Sequence, residues 1–183
     1  ISGFITWPLT QYIEDYGLDE LKASMDGLYE MTKRFTAEFA IRPFLEKYEE
    51  EIYKKYLNSW VKDKSRHVRR LVSEGTRPNL PWGTKVSWIS QNPKYNFYLL
   101  EKLKDDSEEY VRRSVANHLN DVSRIDKKLM LNTISKWDLK NSHTKWIIRH
   151  ATRSLLKAGE PKALRLNGYD TKPNVEISKF KLS

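Results

Sequence analysis

The 183-residue chain contains no cysteine, which removes disulfide staples and thiolate metal ligands together and leaves no argument for secretion. Its histidines, His67, His118, His143 and His150, show no metal-ligand spacing, and no glycine-rich phosphate loop is present. No apolar run reaches the ~18 residues that a membrane span needs. The opening ISGFITWPLT lacks the charged start and apolar core of a signal peptide. A soluble, cytoplasmic, monomeric protein without metal or cofactor is the expectation. The numbering opens on Ile1 rather than Met, as in a trimmed portion of a longer protein. The length suits one domain with a real core and is short for two.

Charge is present in excess of one sign. Lys and Arg number 33 against 24 Asp and Glu, a net charge of +9, which favours an anionic partner. The excess is unevenly placed. Residues 1–60 hold 7 basic and 11 acidic side chains, whereas residues 61–183 hold 26 and 13, so the anion belongs on the second two-thirds.

An arginine-bearing segment recurs: VRRLVSEG from Val68, VRRSVANHLND from Val111 and IIRHATRSLLKAG from Ile147. Arg70, Arg113 and Arg149 fall in register with spacings of 43 and 36. A further shift of 36 reaches RFTAEFAI, where Arg34 answers Arg70 and Glu38 answers Glu74. A period of this size holding two helices is that of HEAT-like repeats, in which each helical pair buries its apolar face on its neighbours. The fold class is therefore all-α, a HEAT-like (armadillo-like) solenoid over residues 1–167. The patterning predicts helices over 19–30, 31–42, 43–60 with Pro43 in the first turn, 65–74 closed by Gly75, and 93–104 opened by Pro93. It continues with 107–120, 123–136 capped by Ser123, 142–158 closed by Gly159, and a short helix after Pro161. Val111, Val115, Ala116 and Leu119 share one helical stripe, as do Ile147, Ile148, Ala151 and Leu155, and both stripes are core. From Gly168 the pattern changes: Val175, Ile177, Phe180 and Leu182 nearly alternate with polar residues, as in an extended C-terminal tail.

Arginines in register line one face of such a stack. Arg34, Arg70, Arg113 and Arg149, with Arg69, Arg77, Arg112, Arg153 and Lys157 beside them, form a stripe suited to spaced phosphates, with a steep salt dependence. The bland alternative is a solvated face of ion pairs. Three carboxylates lie in the same place. Glu38 and Glu74 follow their register arginines by four residues, on one helical face, and Asp121 lies two turns beyond Arg113. Either each pairs with its own repeat's arginine, with Asp121 capping the next helix, or they stabilise a cation in the groove. Trp82 stands in RPNLPWG, where two prolines restrict the backbone. It presents its ring to a base or a cation, or it plugs a gap between repeats. Trp7, Trp60, Trp88, Trp137 and Trp146 are assigned to the core.

The segments HVRRLVSEGTRPNLPWG, RFTAEFAIRPFLEKY and YVRRSVANHLNDVS together resemble the AlkC branch of the AlkC/AlkD alkylpurine DNA glycosylases, over nearly all of residues 5–170. The resemblance implies a solenoid that wraps duplex DNA and excises N3-methylated bases, chiefly 3-methyladenine and 3-methylcytosine, without a metal or cofactor. It implies that Glu38, Glu74, Trp82 and Asp121 line the lesion site, with Asp121 catalytic, and that the arginines of the VRR segments contact the DNA backbone. Asn79 departs from the pattern, which carries a basic residue there. Some members bear an additional immunoglobulin-like β domain, of which residues 168–183 would be the start. Two other classes remain: a non-catalytic HEAT-like module for bent or branched DNA, and a protein-binding adaptor.

Overall fold

The computed structural model describes residues 3–171, all helix, turn and loop, with no strand among them. A 3-10 turn, Phe4–Thr6, leads into α1 (Trp7–Tyr16), followed by α2 (Leu21–Thr32) and α3 (Arg42–Tyr48). Then come α4 (Glu50–Ile52), a π turn (Tyr53–Leu57) and α5 (Asn58–Trp60), α6 (Arg66–Gly75), α7 (Ser87–Gln91), a 3-10 turn (Pro93–Asn96) and α8 (Phe97–Leu103). The chain continues through α9 (Glu109–Ile125), α10 (Lys127–Ile134), α11 (Ser142–Ala151), α12 (Arg153–Lys157) and α13 (Pro161–Leu166).

The register helices stack in chain order, α6 on α9 and α9 on α11, with α8 and α10 also against α9. Each contributes one apolar stripe. Val68, Leu71 and Val72 of α6, Val111, Val115, Leu119 and Val122 of α9, and Ile147, Ile148 and Ala151 of α11 are buried in a single core. Burying a side chain of this size contributes about 1.5–3 kcal/mol, which is why the stripes, rather than local propensity, set the stack.

Several predicted boundaries move, each for a visible reason. The helix over 31–42 does not form: α2 ends at Thr32 and residues 33–41 are turns. Ala37, Ala40 and Ile41 are buried there, and a Cβ on Gly75 would stand 2.7 Å from Ile41 Cγ2, so the segment lies flat against the end of α6. Glu38 therefore shares no helical face with Arg34. The helix over 43–60 keeps Pro43 in its first turn but breaks at Glu49, whose φ is 36°. Ser123 does not cap the next helix; α9 runs through it because Val122 continues the buried stripe. Asp126 is the cap instead, accepting the Leu129 N–H at 2.8 Å, which satisfies one of the orphan donors of a helix start. The helix over 142–158 divides at Thr152, whose hydroxyl donates back to Ile148 O at 2.8 Å. Helices α1 and α7 were not anticipated. Of the tryptophans assigned to the core, Trp60 and Trp137 are buried, Trp88 and Trp146 half-buried, and Trp7 is 42% exposed on α1. The alternating stretch from Val175 lies outside the described residues.

Candidate active site

Loop 76–86 joins α6 to α7 and carries the residues of the TRPNLPW segment. Arg42, 1% exposed, holds both ends of it: Nη1 donates to Gly75 O at 2.8 Å and Arg77 O at 2.9 Å, and Nε donates to Thr84 O. Burial, and then the charge of Arg77, push this guanidinium down to about 10. A second clamp comes from the π turn. Tyr53 OH donates to Asn96 Oδ1 at 2.6 Å, and Asn96 Nδ2 donates to Thr76 O at 2.9 Å. Buried carbonyls of an irregular segment need donors of this kind. Arg42 escaped the sequence reading because nothing local distinguishes a cation that binds carbonyls from one that binds phosphates.

Within the loop, Gly83 N–H donates to Leu80 O at 3.2 Å, Pro81 takes the second turn position, and Trp82 the third with φ 62°. That is the pattern of a type II turn, whose third position favours Gly or Asn. A bulky residue there costs about 1–2 kcal/mol. The ring gains no packing in return, being 99% exposed.

The three carboxylates are joined through two arginines. Arg70 Nη1 and Nη2 donate to Glu38 Oε2 and Oε1 at 2.9 and 3.1 Å. Arg70 Nη2 also lies 3.6 Å from Glu74 Oε1. Arg77 donates from Nη1 to Glu74 Oε1 at 2.7 Å, and from Nε and Nη2 to Asp121 Oδ2 and Oδ1 at 2.7 and 3.2 Å. None of the five side chains is more than 15% exposed. Glu38 thus pairs with the arginine of the following repeat rather than with Arg34, and Asp121 pairs with the loop rather than capping α10.

Burial is the largest influence on Glu74 and on Asp121, and it acts upward on both. Arg70 and Arg77 overcome it at Glu74, which is held below the ordinary carboxylate value. At Asp121 burial prevails over Arg77, and the carboxyl is held above its ordinary value. Neighbouring acids driven apart in this way suit different roles. Asp121, only 4% exposed, still reaches the wall of a groove of about 320 Å³, with Pro78, Asn79, Lys85, Arg124 and Ile125. Glu38 faces a second groove, about 380 Å³, with Arg34, Phe35, His67 and Tyr110.

The eight arginines singled out in the sequence divide. Arg34, Arg113 and Arg149 are exposed, Arg113 with an exposed (i, i+4) partner in Glu109. Arg112 donates to Asp106 O and Ser107 O, both at 2.7 Å, and Arg153 to His150 O and Asn117 Oδ1 at 2.7 and 3.1 Å, each half-buried. Arg69 grips Asp106 with two bonds of 2.6 and 2.9 Å, and Arg70 and Arg77 serve the carboxylates. Lys85 and Arg124 were missed. Arg124 had a signal, one turn beyond Asp121 on the same face; Lys85 had none. His118 is fully buried, its Nδ1–H donating to Ser73 O at 2.9 Å, and burial pushes it down to about 4.

The signature described as DNA alkylation repair enzyme matches residues 34–155. The chain belongs to the DNA alkylation repair enzyme family. Within and around that family, it is 42% identical to the uncharacterized protein YhaZ of Bacillus subtilis (strain 168), over 97% of this chain and 48% of that protein. The solved structure of Pseudomonas fluorescens alkylpurine DNA glycosylase AlkC, bound to DNA containing an abasic site analog, is 44% identical. It superimposes with a TM-score of 0.87, covering 91% of this chain and 46% of that one. AlkD2 from Streptococcus mutans, 23% identical, shares the fold with a TM-score of 0.62 over 75% of this chain and 68% of its own. The chain spans about half the length of the first two relatives. No helix among the described residues is long and apolar enough to cross a membrane.

Proposed function

We propose that residues 1–167 form the DNA-wrapping, HEAT-like domain of a glycosylase that hydrolyses the N-glycosidic bond of cationic N3-methylated bases, 3-methyladenine and 3-methylcytosine among them. The observation that carries the proposal is Asp121: a buried carboxylate gripped by Arg77, held above its ordinary pKa, and open to a groove. The family and the DNA-bound AlkC relative support the reaction class.

Methylation at N3 places a positive charge on the base and makes it a good leaving group. As the C1′–N bond breaks, its electron pair goes to the base and positive charge develops on the sugar. The ionised carboxylate of Asp121 stabilises that charge and accepts a proton from the water that adds to C1′. A carboxylate has about four lone-pair sites, so the paired contact with Arg77 leaves others for that water. Arg77 and Glu74 then position Asp121, and Arg70 and Glu38 brace them in turn. Phosphates fall to the exposed Arg34, Arg113 and Arg149, with Arg112, Arg153, Lys85 and Arg124 nearby, while Arg69, Arg70 and Arg77 serve the interior.

The test is base release from randomly methylated DNA, measured by chromatography and mass spectrometry. Asp121→Asn is expected to lower the rate by ~10²–10³-fold, the scale of losing one preorganised electrostatic group, with DNA affinity held or slightly raised. DNA binding without base release by the unmodified protein would instead assign the chain to a non-catalytic DNA-binding module.

A further inference from the structure

The groove of about 380 Å³ onto which Glu38 faces is walled by three segments of the chain. The turns after α2 supply Arg34 and Phe35, the first turn of α6 supplies His67, and the first turn of α9 supplies Tyr110. His67 and Tyr110 are 43 residues apart, the step that also separates Arg70 from Arg113, so the stacking of α6 on α9 brings their rings together. The centroids lie 5.6 Å apart at 63°, and the guanidinium of Arg70 lies over the Tyr110 ring at 4.9 Å. Because residues 33–41 lie as turns rather than as a helix, Arg34 leaves the register of Arg70 and lines the same groove as His67.

The floor of this groove is satisfied and its rim is not. Arg70 donates to Thr36 Oγ1 at 2.8 Å and spans both oxygens of Glu38 at 2.9 and 3.1 Å, so the one carboxylate on the groove is bound and its charge offset. At the rim, the Arg34 guanidinium, the ring nitrogens of His67 and the Tyr110 hydroxyl have no hydrogen-bond or ion-pair partner among the described residues. All three reach solvent: Arg34 and Tyr110 are exposed and His67 is half-buried. A guanidinium, an imidazole and a hydroxyl on one groove are donors that lack an acceptor. A phosphodiester has oxygens for all three, and its bonds to cationic donors are the stronger kind. Phe35 and the ring of Tyr110 leave apolar wall for the adjoining sugar.

We propose that Arg34, His67 and Tyr110 form a cradle for one backbone phosphate of the bound DNA, and that His67 takes up a proton when the phosphate arrives. In the free protein the surroundings of His67 oppose its protonation. Burial, and then Arg66 and Arg70 on its own helix, hold the imidazole below its ordinary 6.5. Glu108, ahead of α9, acts the other way but is paired with Arg66 at 3.2 Å. Tyr110 is uncharged, since burial pushes its hydroxyl upward, and on the remaining wall Arg34 is a cation while Glu38 is spent on Arg70. A phosphate within reach reverses the balance, because an opposite charge favours the charged imidazole. Binding and proton uptake are then linked. The gain in affinity is absent well above the bound-state value of His67, grows as pH falls through it, and is complete below the free-state value. The inference rests on the DNA-wrapping part of the proposed function and makes no use of Asp121.

Binding of the full-length protein to an unmethylated duplex is measured from about pH 7.5 to about 5.5 at fixed ionic strength, and the His67 Cε1–H resonance is followed with and without the duplex. The cradle predicts an upward shift of the His67 titration in the complex. It also predicts that affinity rises about three- to tenfold more across this range in the unmodified protein than in His67→Gln. Arg34→Ala should lower the salt slope by about one. Tyr110→Phe keeps the ring against Arg70, loses only the hydroxyl, and should weaken binding about two- to tenfold. His150→Gln, the same change on α11, should leave the His67 shift in place. None of these side chains gives up a hydrogen bond on the rim, and circular dichroism checks that each variant folds. A His67 titration unmoved by the duplex, or a pH dependence equal in His67→Gln, overturns the cradle and leaves DNA binding and base release standing. No binding of the duplex by the unmodified protein removes the DNA-wrapping reading and the cradle together.

Discussion

The interior ion-pair chain and the aromatic face of α1 treat charge in opposite ways. From Glu38 to Asp121 every carboxylate has a guanidinium within reach and every guanidinium has two carboxylates, all of them sheltered. At the aromatic face, Glu14 has no cation paired with it among the described residues, and Trp7 and Trp82 are exposed. A self-satisfied network rigidifies what it contains, which suits holding Asp121 in one orientation. An unsatisfied carboxylate beside open rings is suited to receiving something. The division separates a braced interior that fixes Asp121 from an open face, and loop 76–86 touches both, through buried Arg77 and exposed Trp82.

The largest expected effect comes from breaking the interior chain. Arg77→Met leaves Asp121 and Glu74 without their shared donor and should cost about 3–5 kcal/mol, the range for uncompensated buried charge, read by denaturant unfolding. Arg77→Lys keeps the charge but loses the two-pronged grip. Asp121 is already held above its ordinary value of 3.8, and the proposed mechanism uses its ionised form, so the rate of base release is expected to fall as pH drops through that raised value. In Arg77→Lys burial is less opposed, and this acid limb should move to higher pH.

His118 gives the next effect. Its folded value of about 4 lies below its ordinary 6.5, so the unfolded chain takes up the proton first. Its contribution is whole above pH 6.5 and is lost as pH falls toward 4, amounting to about 3 kcal/mol. Stability measured across that window should decline by one proton's worth, and His118→Gln should flatten the decline.

Arginine substitutions sharpen the same contrast on the surface. Arg149→Ala should weaken DNA binding across sequences and lower the salt slope by about one, with stability intact. Arg69→Ala should do the reverse, lowering stability through the loss of its Asp106 contacts and leaving the salt slope unchanged. The smallest effect is on the aromatic face. Asn tolerates a positive φ better than Trp, and the ring of Trp82 makes no packing contact to lose, so Trp82→Asn should hold or raise thermal stability by up to ~1 kcal/mol.

Much of this was legible in the sequence. The three VRR or IIR segments mark α6, α9 and α11 because a buried apolar stripe has to recur at helical spacing, and that signal survives divergence. The fourth copy misleads because Ala37, Ala40 and Ile41 are apolar in a pattern that also suits a helix, and only the close approach of Gly75 shows that they lie as turns. Glu38, Glu74 and Asp121 stood out in the sequence as carboxylates among arginines, and the structure joins them through Arg70 and Arg77, whereas that pairing was not legible. Arg77 read as a phosphate ligand and Arg42 drew no reading at all, since a sequence does not reveal which guanidiniums are buried. Trp7 read as a core residue, whereas the structure leaves it 42% exposed on α1, since a lone tryptophan does not show in sequence which side of the stack it meets.

The most direct test of the central claim is the rate of base release from methylated DNA by the unmodified protein and by Asp121→Asn at equal DNA occupancy. The account predicts release of 3-methyladenine or 3-methylcytosine by the former and a loss of at least ~10²-fold in the latter. Equal rates in the two would contradict it, because the ion-pair chain would then be holding in place a carboxylate that the reaction does not use.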